Sequence, residues 1–233
     1  MTVQRSPQRT AVVAGASGLI GRELLRRLVR EPVYESVVAL TRRRLNAGDR
    51  IVEVPAHFDK LGRLLAPVVS ADATVDAYCC LGTTIRAAGS EMAFRQVDFD
   101  YVLAFGHWAA QHPVRRLVVV TALGADAESR VFYNRVKGQV EIALREMTGL
   151  TLTIVRPSLL DGPRPEWRVG EFLALAVSRP LRALLPARVR PVRAADVAQS
   201  MIDAAQRADA PVSIESADMH GAAARADARR QRP

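Results

Sequence analysis

The sequence predicts an α/β protein with a doubly wound parallel sheet, and two observations indicate it. Short apolar, β-branched runs alternate with longer amphipathic stretches along most of the chain, which is the pattern of successive β-α-β units. Several of the short runs are continuously apolar, as expected of strands that helices cover on both faces. The expected strands are residues 10–14, 36–41, 50–54, 74–81, 116–121, 150–155 and 211–215.

Four helices are predicted between these strands, at residues 19–30, 91–111, 133–147 and 194–208. In the first of them, four apolar residues share one face and three arginines lie on the other, which is typical of a helix packed on a sheet. Ligands of such proteins bind at the carboxyl ends of the strands. We therefore looked for functional residues at that edge.

The domain organisation follows from breaks in this pattern. We expect one domain over residues 1–217, in which prolines divide residues 163–191 into short helical pieces such as 170–177. We interpret this segment as a small C-terminal cap that shapes a substrate pocket; the alternative is a membrane-surface or partner-binding helix, because Trp167 and Phe172 lie among arginines. Residues 218–233 are rich in Ala, Asp and Arg without periodicity, and they are predicted to be a disordered basic tail.

Composition excludes several classes of protein. The net charge of +9 would suit nucleic acid, but Lys60 and Lys137 are the only lysines, and no aromatic residues alternate with the arginines as base stacking requires. The two cysteines, Cys79 and Cys80, are adjacent, which suits neither a disulfide nor a zinc site and fits a reducing compartment such as the cytoplasm. We expect no targeting segment and no membrane span.

A glycine motif follows the first predicted strand and opens the first helix. Glycines at this position permit a tight turn, a close approach to a pyrophosphate and close packing of helix on strand, while the helix N-terminus attracts the anion. This context predicts a dinucleotide site. Its residues are Gly15, Ala16, Ser17, Gly18, Leu19, Ile20 and Gly21.

The end of the second strand selects the cofactor. An acidic residue there would bind the ribose 2′-hydroxyl of NAD, but the chain has Thr41 followed by three arginines. Guanidinium groups suit a 2′-phosphate, so Arg42 and Arg43 predict NADP(H). The alternative is a solvated basic turn in an arginine-rich protein.

Tyr133 and Lys137 lie one helical turn apart on the same face of the third predicted helix. An ammonium beside a phenol stabilises the phenolate, so that Tyr133 can act as a general acid or base toward a carbonyl or alcohol oxygen. Thr121, at the end of the fifth strand, could hydrogen-bond the same oxygen; Ser129 is the competing hydroxyl. In the alternative, Lys137 only covers a neighbouring side chain.

These residues resemble the short-chain dehydrogenase/reductases, in their atypical branch and in the group of the Tat-interacting-protein oxidoreductases and their bacterial relatives. The likeness covers about residues 10–216, through the glycine motif and segments 79–84, 97–101, 121–125, 133–137 and 156–164. It implies that Tyr133 and Lys137 are catalytic and that the lysine also holds the nicotinamide ribose. It further implies a cofactor contact for Leu81, Gly82, Thr83, Pro157, Ser158 and Leu159.

Two positions depart from this family. Thr121 stands where many relatives have a serine, which keeps the hydroxyl. Asp98 stands where the fuller active site has an asparagine that completes a proton relay, so the relay is expected to be altered.

The sequence therefore predicts an NADP-dependent oxidoreductase that acts on a small carbonyl or alcohol substrate. The alternative from another class is a regulator or assembly factor that binds NADPH without turnover, favoured by Asp98 and by the basic cap and tail. A sugar-nucleotide epimerase is a third option, for which the chain is short. The helices at 91–111 and 133–147 could also pair two copies in a homodimer.

Overall fold

A computed structural model describes residues 9–45, 48–70, 72–161 and 185–231. Its main sheet has seven strands, all parallel, in the order β3-β2-β1-β4-β5-β6-β9. This confirms the predicted doubly wound sheet and each of the seven predicted strands. The strands are β1 (Arg9–Ala14), β2 (Tyr34–Thr41), β3 (Ile51–Pro55), β4 (Thr74–Cys79), β5 (Val114–Val120), β6 (Leu152–Arg156) and β9 (Ser213–Glu215).

Helices cover both faces of this sheet, and a short parallel pair of strands lies apart from it. A 3₁₀ turn (Phe58–Lys60) precedes the second helix. The short pair is β7 (Leu160–Asp161) and β8 (Val192–Arg193). The helices are α1 (Leu19–Leu28), α2 (Leu61–Leu65), α3 (Ile85–Ala88), α4 (Glu91–Arg95), α5 (Tyr101–Gln111), α6 (Phe132–Arg145), α7 (Ala194–Gln206), α8 (Ser216–Met219) and α9 (Ala222–Arg230).

The two faces of the sheet form two apolar clusters, because neighbouring residues of each strand point to opposite sides. On one side α1 and α7 pack on the sheet, and on the other side α5 and α6 do so. The predicted apolar face of α1 is buried through Ile20, Leu24, Leu25 and Leu28, while Arg22, Arg26 and Arg30 are exposed.

The strand order reverses between β1 and β4. The helix that follows β1, α1, packs on one face of the sheet, and α5, which leads from β4 to β5, packs on the other. Loops diverge at such a switch point and leave a crevice for a ligand at the carboxyl edge. The loops that leave this edge contain residues 15–18, 42–45, 48–50, 80–84, 121–131 and 157–159. All predicted site residues lie on them or on the helices that they open.

The predicted helix at 91–111 is not one regular helix. A π-helical turn (Gln96–Asp100) separates α4 from α5. A hydrophobic pattern does not reveal such a turn, because its single extra residue leaves the segment helical on both sides.

The prediction of a disordered tail from residue 218 was wrong for the residues that the structure describes. They form α8 and α9, and α9 buries Ala222 and Ala223 against α7. Ala223 N donates to Asp196 Oδ1 (3.0 Å), and Arg27 pairs with Asp227 (3.1 Å). Small alanines that pack closely, together with ion pairs to the body of the domain, order a segment that lacks large apolar residues.

Two further predictions concern the cap and membrane insertion. Most of the predicted cap, including its helical piece at 170–177, lies outside the described residues. Within the described ranges, no helix is both long enough and apolar enough to span a membrane.

Candidate functional site

The glycine loop turns directly from β1 into α1. Gly15 has a φ of +78°, and a Cβ on it would lie 2.5 Å from the carbonyl carbon of Cys80. Gly18 N donates to Gly15 O (3.0 Å), and a Cβ on Gly21 would lie 2.3 Å from that same oxygen. Backbone therefore packs on backbone at Gly15 and Gly21, where any side chain would clash.

This loop presents a helix N-terminus at the switch point. Gly18 caps α1 without any side-chain acceptor, so the first-turn N–H groups of the helix are left for an external partner. The partial positive charge of the helix end favours an anion such as a pyrophosphate. Cys80 N donates to Ala14 O (2.8 Å), which fixes the loop after β4 beside this cradle. The residues present thus fit a dinucleotide.

Arg42 and Arg43 follow β2 at the same edge, and both are exposed. Arg43 N donates to Thr41 Oγ1 (3.2 Å), a local turn that directs the chain away from the strand. Both arginines thus lie at the same edge of the sheet as the glycine loop, one strand away from it. Their role in cofactor choice stays a prediction.

Tyr133 lies in the first turn of α6 and is half-buried. Its ring packs against the ring of Phe94, at 5.6 Å between centroids, and Phe94 also contacts Phe132 at 5.7 Å. Phe94 has no exposed surface. This aromatic cluster fixes the phenol ring at the mouth of the crevice.

Lys137 lies one turn further along α6, and its side chain is 4% exposed. Its Nζ is 2.8 Å from Oδ1 of Asp98, which is fully buried in the π-helical turn. Burial is the largest single influence and disfavours the ammonium, but the charge of Asp98, the neighbouring Tyr133 and the hydrogen bond to Asp98 together raise the pKa of Lys137 above its ordinary value. The lysine is therefore cationic at neutral pH.

Two thiols follow one another at the end of β4: Cys79 is buried beside Lys137, and Cys80 is partly buried. Burial raises the pKa of Cys79 to about 12 and the pKa of Cys80 well above its ordinary value. Both thiols are therefore protonated and weakly nucleophilic at neutral pH. We assign them no chemical role.

Thr121 does not direct its hydroxyl to Tyr133. Its Oγ1 donates to Oε1 of Glu141 (2.7 Å), a buried carboxylate on α6 that also accepts from Arg156 Nε (2.9 Å) and Arg145 (3.1 Å). Because its only proton is used in this bond, we do not assign the substrate oxygen to Thr121. The network instead anchors α6 to the ends of β5 and β6.

Thr121→Val is therefore expected to lower the free energy of unfolding by about 1–3 kcal/mol, because the buried Glu141 loses a hydrogen-bond donor. Activity per folded molecule is expected to stay within about twofold of the unaltered protein, since the loss falls on the anchor of α6. Urea unfolding and steady-state rates would measure the two effects, with Thr121→Ser as the matched control that keeps the hydroxyl. A large loss of rate at unchanged stability would instead restore Thr121 to the reactive centre.

The loop after β6 is held by its own hydrogen bonds. Leu123 N donates to Pro157 O (2.8 Å), Ser158 Oγ donates to Arg190 O (2.6 Å), and Val192 N donates to Leu159 O (2.9 Å). Ser158 N also donates to Ser216 Oγ (3.1 Å), so both donors of Ser158 are occupied. The cofactor contact of this loop stays a prediction.

The sequence analysis missed three contacts of the site: Phe94 with Tyr133, Glu141 with Thr121, and Asp98 with Lys137. Glu141 gives a sequence signal that could have been used. It follows Lys137 by one turn and precedes Leu144 by one turn on the buried face of α6, where an acidic residue requires a partner. Neither the aromatic cluster nor the Asp98 pair has such a signal, because both depend on the π-helical turn.

The site and fold together define a class. A glycine-lined loop at the switch point, an open helix N-terminus and a doubly wound parallel sheet are the features of a dinucleotide-binding protein. The chain belongs to the NAD(P)H-binding family, whose model matches residues 15–208.

Two relatives show how far the similarity extends. Protein HTATIP2 of Rattus norvegicus is 32% identical over 170 residues, which cover 71% of this chain and 69% of the relative. Protein FMP52, mitochondrial, of Candida albicans is 27% identical over 202 residues, which cover 84% and 87%. The predicted resemblance to the atypical short-chain dehydrogenase/reductases is confirmed.

Solved structures share the fold. A GalE-like L-threonine dehydrogenase from Cupriavidus necator, in its holo form, superposes with a TM-score of 0.68 at 15% identity and covers 88% of this chain and 77% of its own. MoeE5 in complex with UDP-glucose and NAD superposes with a TM-score of 0.63 at 17% identity and covers 88% and 76%. At these identities the likeness concerns the fold alone.

Proposed function

We propose that the protein is an NADP(H)-dependent oxidoreductase that interconverts a small carbonyl compound and its alcohol. The observation that carries the proposal is the placement of Tyr133 and Lys137 on one turn of α6, at the carboxyl edge where the glycine loop opens. The family supports the dinucleotide. The proposed reaction is inferred from the side chains of Tyr133 and Lys137.

Each side chain has a role in this proposal. The N-terminus of α1 and residues 15–21 hold the pyrophosphate, and the bound nicotinamide supplies or accepts the hydride. Tyr133 donates its phenolic proton to the carbonyl oxygen during reduction and takes a proton from the alcohol during oxidation. The ammonium of Lys137 stabilises the phenolate, and its N–H groups not directed at Asp98 can hold the ribose.

The choice of NADP(H) rests on the exposed Arg42 and Arg43 after β2. We expect NADPH to bind at least about tenfold more tightly than NADH, which corresponds to about 1.4 kcal/mol. Arg42→Ala or Arg43→Ala is expected to reduce that ratio by weakening NADPH binding, because a guanidinium group pairs with a phosphate and not with a hydroxyl. Fluorescence titration with each nucleotide would measure the ratio.

Arg63→Ala is the matched control, since Arg63 lies on α2, away from the loop after β2. An unchanged ratio in both loop variants would remove the arginines from cofactor choice and leave a solvated basic turn. Failure of both nucleotides to bind the unaltered protein would overturn the oxidoreductase proposal itself.

The second candidate is a regulator or assembly factor that binds NADPH without turnover. Two observations favour it: Thr121 is occupied by Glu141, and the charge of Lys137 is balanced by Asp98. A panel of carbonyl substrates without NADPH oxidation, together with a partner whose association depends on NADPH, would establish this candidate. Equal association of the apo and NADPH-bound forms would reject it.

The cytoplasm is the proposed compartment because both cysteines are free thiols, Cys79 buried and Cys80 partly buried. The relative FMP52 is a mitochondrial protein by name, which makes the mitochondrion the alternative. Fractionation of cells that express the tagged protein would distinguish the two.

A further inference from the structure

The π-helical turn between α4 and α5 places one carboxylate inside the protein. Asp98 lies at the centre of this turn, Gln96–Asp100, and has no exposed surface. Such turns add one residue to a helix, which weakens its regular hydrogen bonding, and they occur often at functional sites. The question is therefore what the buried carboxylate holds.

Asp98 contacts two different parts of the site. Its Oδ1 is 2.8 Å from Lys137 Nζ on α6, and its Oδ2 accepts a hydrogen bond from Thr83 N (2.8 Å) in the loop after β4. A single side chain thus joins the predicted catalytic lysine to the predicted cofactor loop. The ion pair is little screened by solvent, because both of its side chains are buried.

The loop after β4 passes directly over this pair. A Cβ on Gly82 would lie 3.6 Å from Asp98 Oδ1 and 3.9 Å from Lys137 Nζ. A side chain at Gly82 would therefore touch the ion pair, and the glycine backbone lies within about one methyl group of it. A displacement of the carboxylate would move both the ammonium and the loop.

We propose that Asp98 is a positioning residue that fixes Lys137 and the loop after β4 relative to each other and keeps the lysine cationic. The inference rests on the proposed function for the role of Lys137, but its structural part concerns Asp98 alone. Asp98 contacts the ammonium directly, without an intervening residue. It acts on the substrate and the cofactor only through Lys137 and the loop.

The groups that face Lys137 make Asp98 the source of compensating charge. They are Asp98 from the π-helical turn, Tyr133 from α6 and Cys79 from β4, and the thiol of Cys79 is protonated at neutral pH. In an Asp98→Asn variant, burial would act on the ammonium without an opposing carboxylate, and the pKa of Lys137 would fall. The lysine would then lose its proton in a range where the unaltered protein keeps it.

The lysine content of the chain permits a direct measurement. Protein labelled with ¹⁵N-lysine gives two side-chain Nζ signals, one from Lys137 and one from Lys60. Lys60 is exposed and ends the 3₁₀ turn after β3. We expect the titration midpoint of Lys137 to fall by about one pH unit or more in Asp98→Asn, while the Lys60 signal is unaffected. An unchanged Lys137 midpoint would overturn the proposal.

Asp100→Asn is the matched control, because Asp100 lies in the same turn but is exposed. It is expected to leave the Lys137 midpoint, NADPH binding and the pH profile unchanged. In Asp98→Asn, by contrast, NADPH binding should weaken and the alkaline limb of the pH–rate profile should move to lower pH along with Lys137. A role limited to stability would lower the unfolding free energy without moving either profile, and that result would also overturn the proposal.

A measurement on the unaltered protein covers the case in which Asp98→Asn does not fold. The Nζ protons of Lys137 should exchange with solvent much more slowly than those of Lys60, because the ammonium is buried and ion-paired. Equal exchange rates would contradict the pair. These signals do not require turnover, so the role of Asp98 and the oxidoreductase proposal can fail separately.

Discussion

Tyr133→Phe is expected to lower the rate of hydride transfer by about a hundredfold to ten-thousandfold, which is the usual contribution of a general acid or base. The phenylalanine ring keeps the contact with Phe94, so the fold and NADPH binding are expected to be unchanged. The variant loses only the proton that would be donated to the carbonyl oxygen. Stopped-flow measurement of NADPH oxidation, at saturating cofactor, would separate this step from binding.

Tyr101→Phe provides the matched control for this experiment. Tyr101 begins α5 and stacks on Phe58 at 4.7 Å, away from α6. It undergoes the same chemical change and should keep full activity. If Tyr133→Phe also kept full activity on a confirmed substrate, the assignment of the acid–base group would be wrong, although the dinucleotide site would stand.

Gly21→Ala is expected to lower the free energy of unfolding by about 2–3 kcal/mol, in the range of an overpacked interior. Its Cβ would lie 2.3 Å from Gly15 O and 2.8 Å from the Cα of Ala16. These are backbone atoms, so no flexible side chain can move aside. Either the glycine loop or α1 must shift, and NADPH binding should be lost together with stability.

The same substitution at Gly62 should act in the opposite direction. Gly62 lies on α2, and the nearest atom to its Cβ would be His112 Cε1 at 3.9 Å, which is ordinary contact. Alanine there is expected to stabilise the protein by about 0.5–1 kcal/mol because it restricts the unfolded chain. Urea unfolding of both variants measures the contrast. Equal effects of the two substitutions would show that the loop does not pack on α1 as described.

The sheet could be predicted from the sequence because its signals are local. Each strand is a short apolar run, and the observed bounds differ from the predicted ones by no more than two residues at either end; β4, for example, ends at Cys79 where Leu81 was expected. The site edge followed from topology, since the loops of parallel strands leave on one side. The glycine loop, Tyr133 and Lys137 could thus be predicted to lie at the same edge of the sheet.

The side-chain partners in the site and the order of the C-terminal helix could not be predicted, because they depend on contacts between segments that are distant in sequence. The partner of Thr121 is Glu141, and the partner of Lys137 is Asp98, neither of which adjoins it in sequence. The helix α9 was missed because its order comes from ion pairs and small buried alanines, not from an apolar stripe. Likewise Asp76, in the middle of β4, is buried beside Arg115 and accepts from Tyr34 (2.7 Å), a pairing that no local pattern predicts.

The π-helical turn also determines which sides of α4 and α5 their apolar residues occupy relative to each other. Phe94 and Phe105 are eleven residues apart, so a regular α-helix of 100° per residue would place them on nearly the same side. One inserted residue changes their relative phase by about 100°, so that Phe94 meets Tyr133 while Phe105 enters the core beneath the sheet. A variant with one residue fewer between them would restore a regular helix and keep this relative phase, because ten residues at 100° per residue also place the two rings about 80° apart. It would lose the π-helical turn that contains the buried Asp98. Segment length, as much as residue identity, is what this part of the site must preserve.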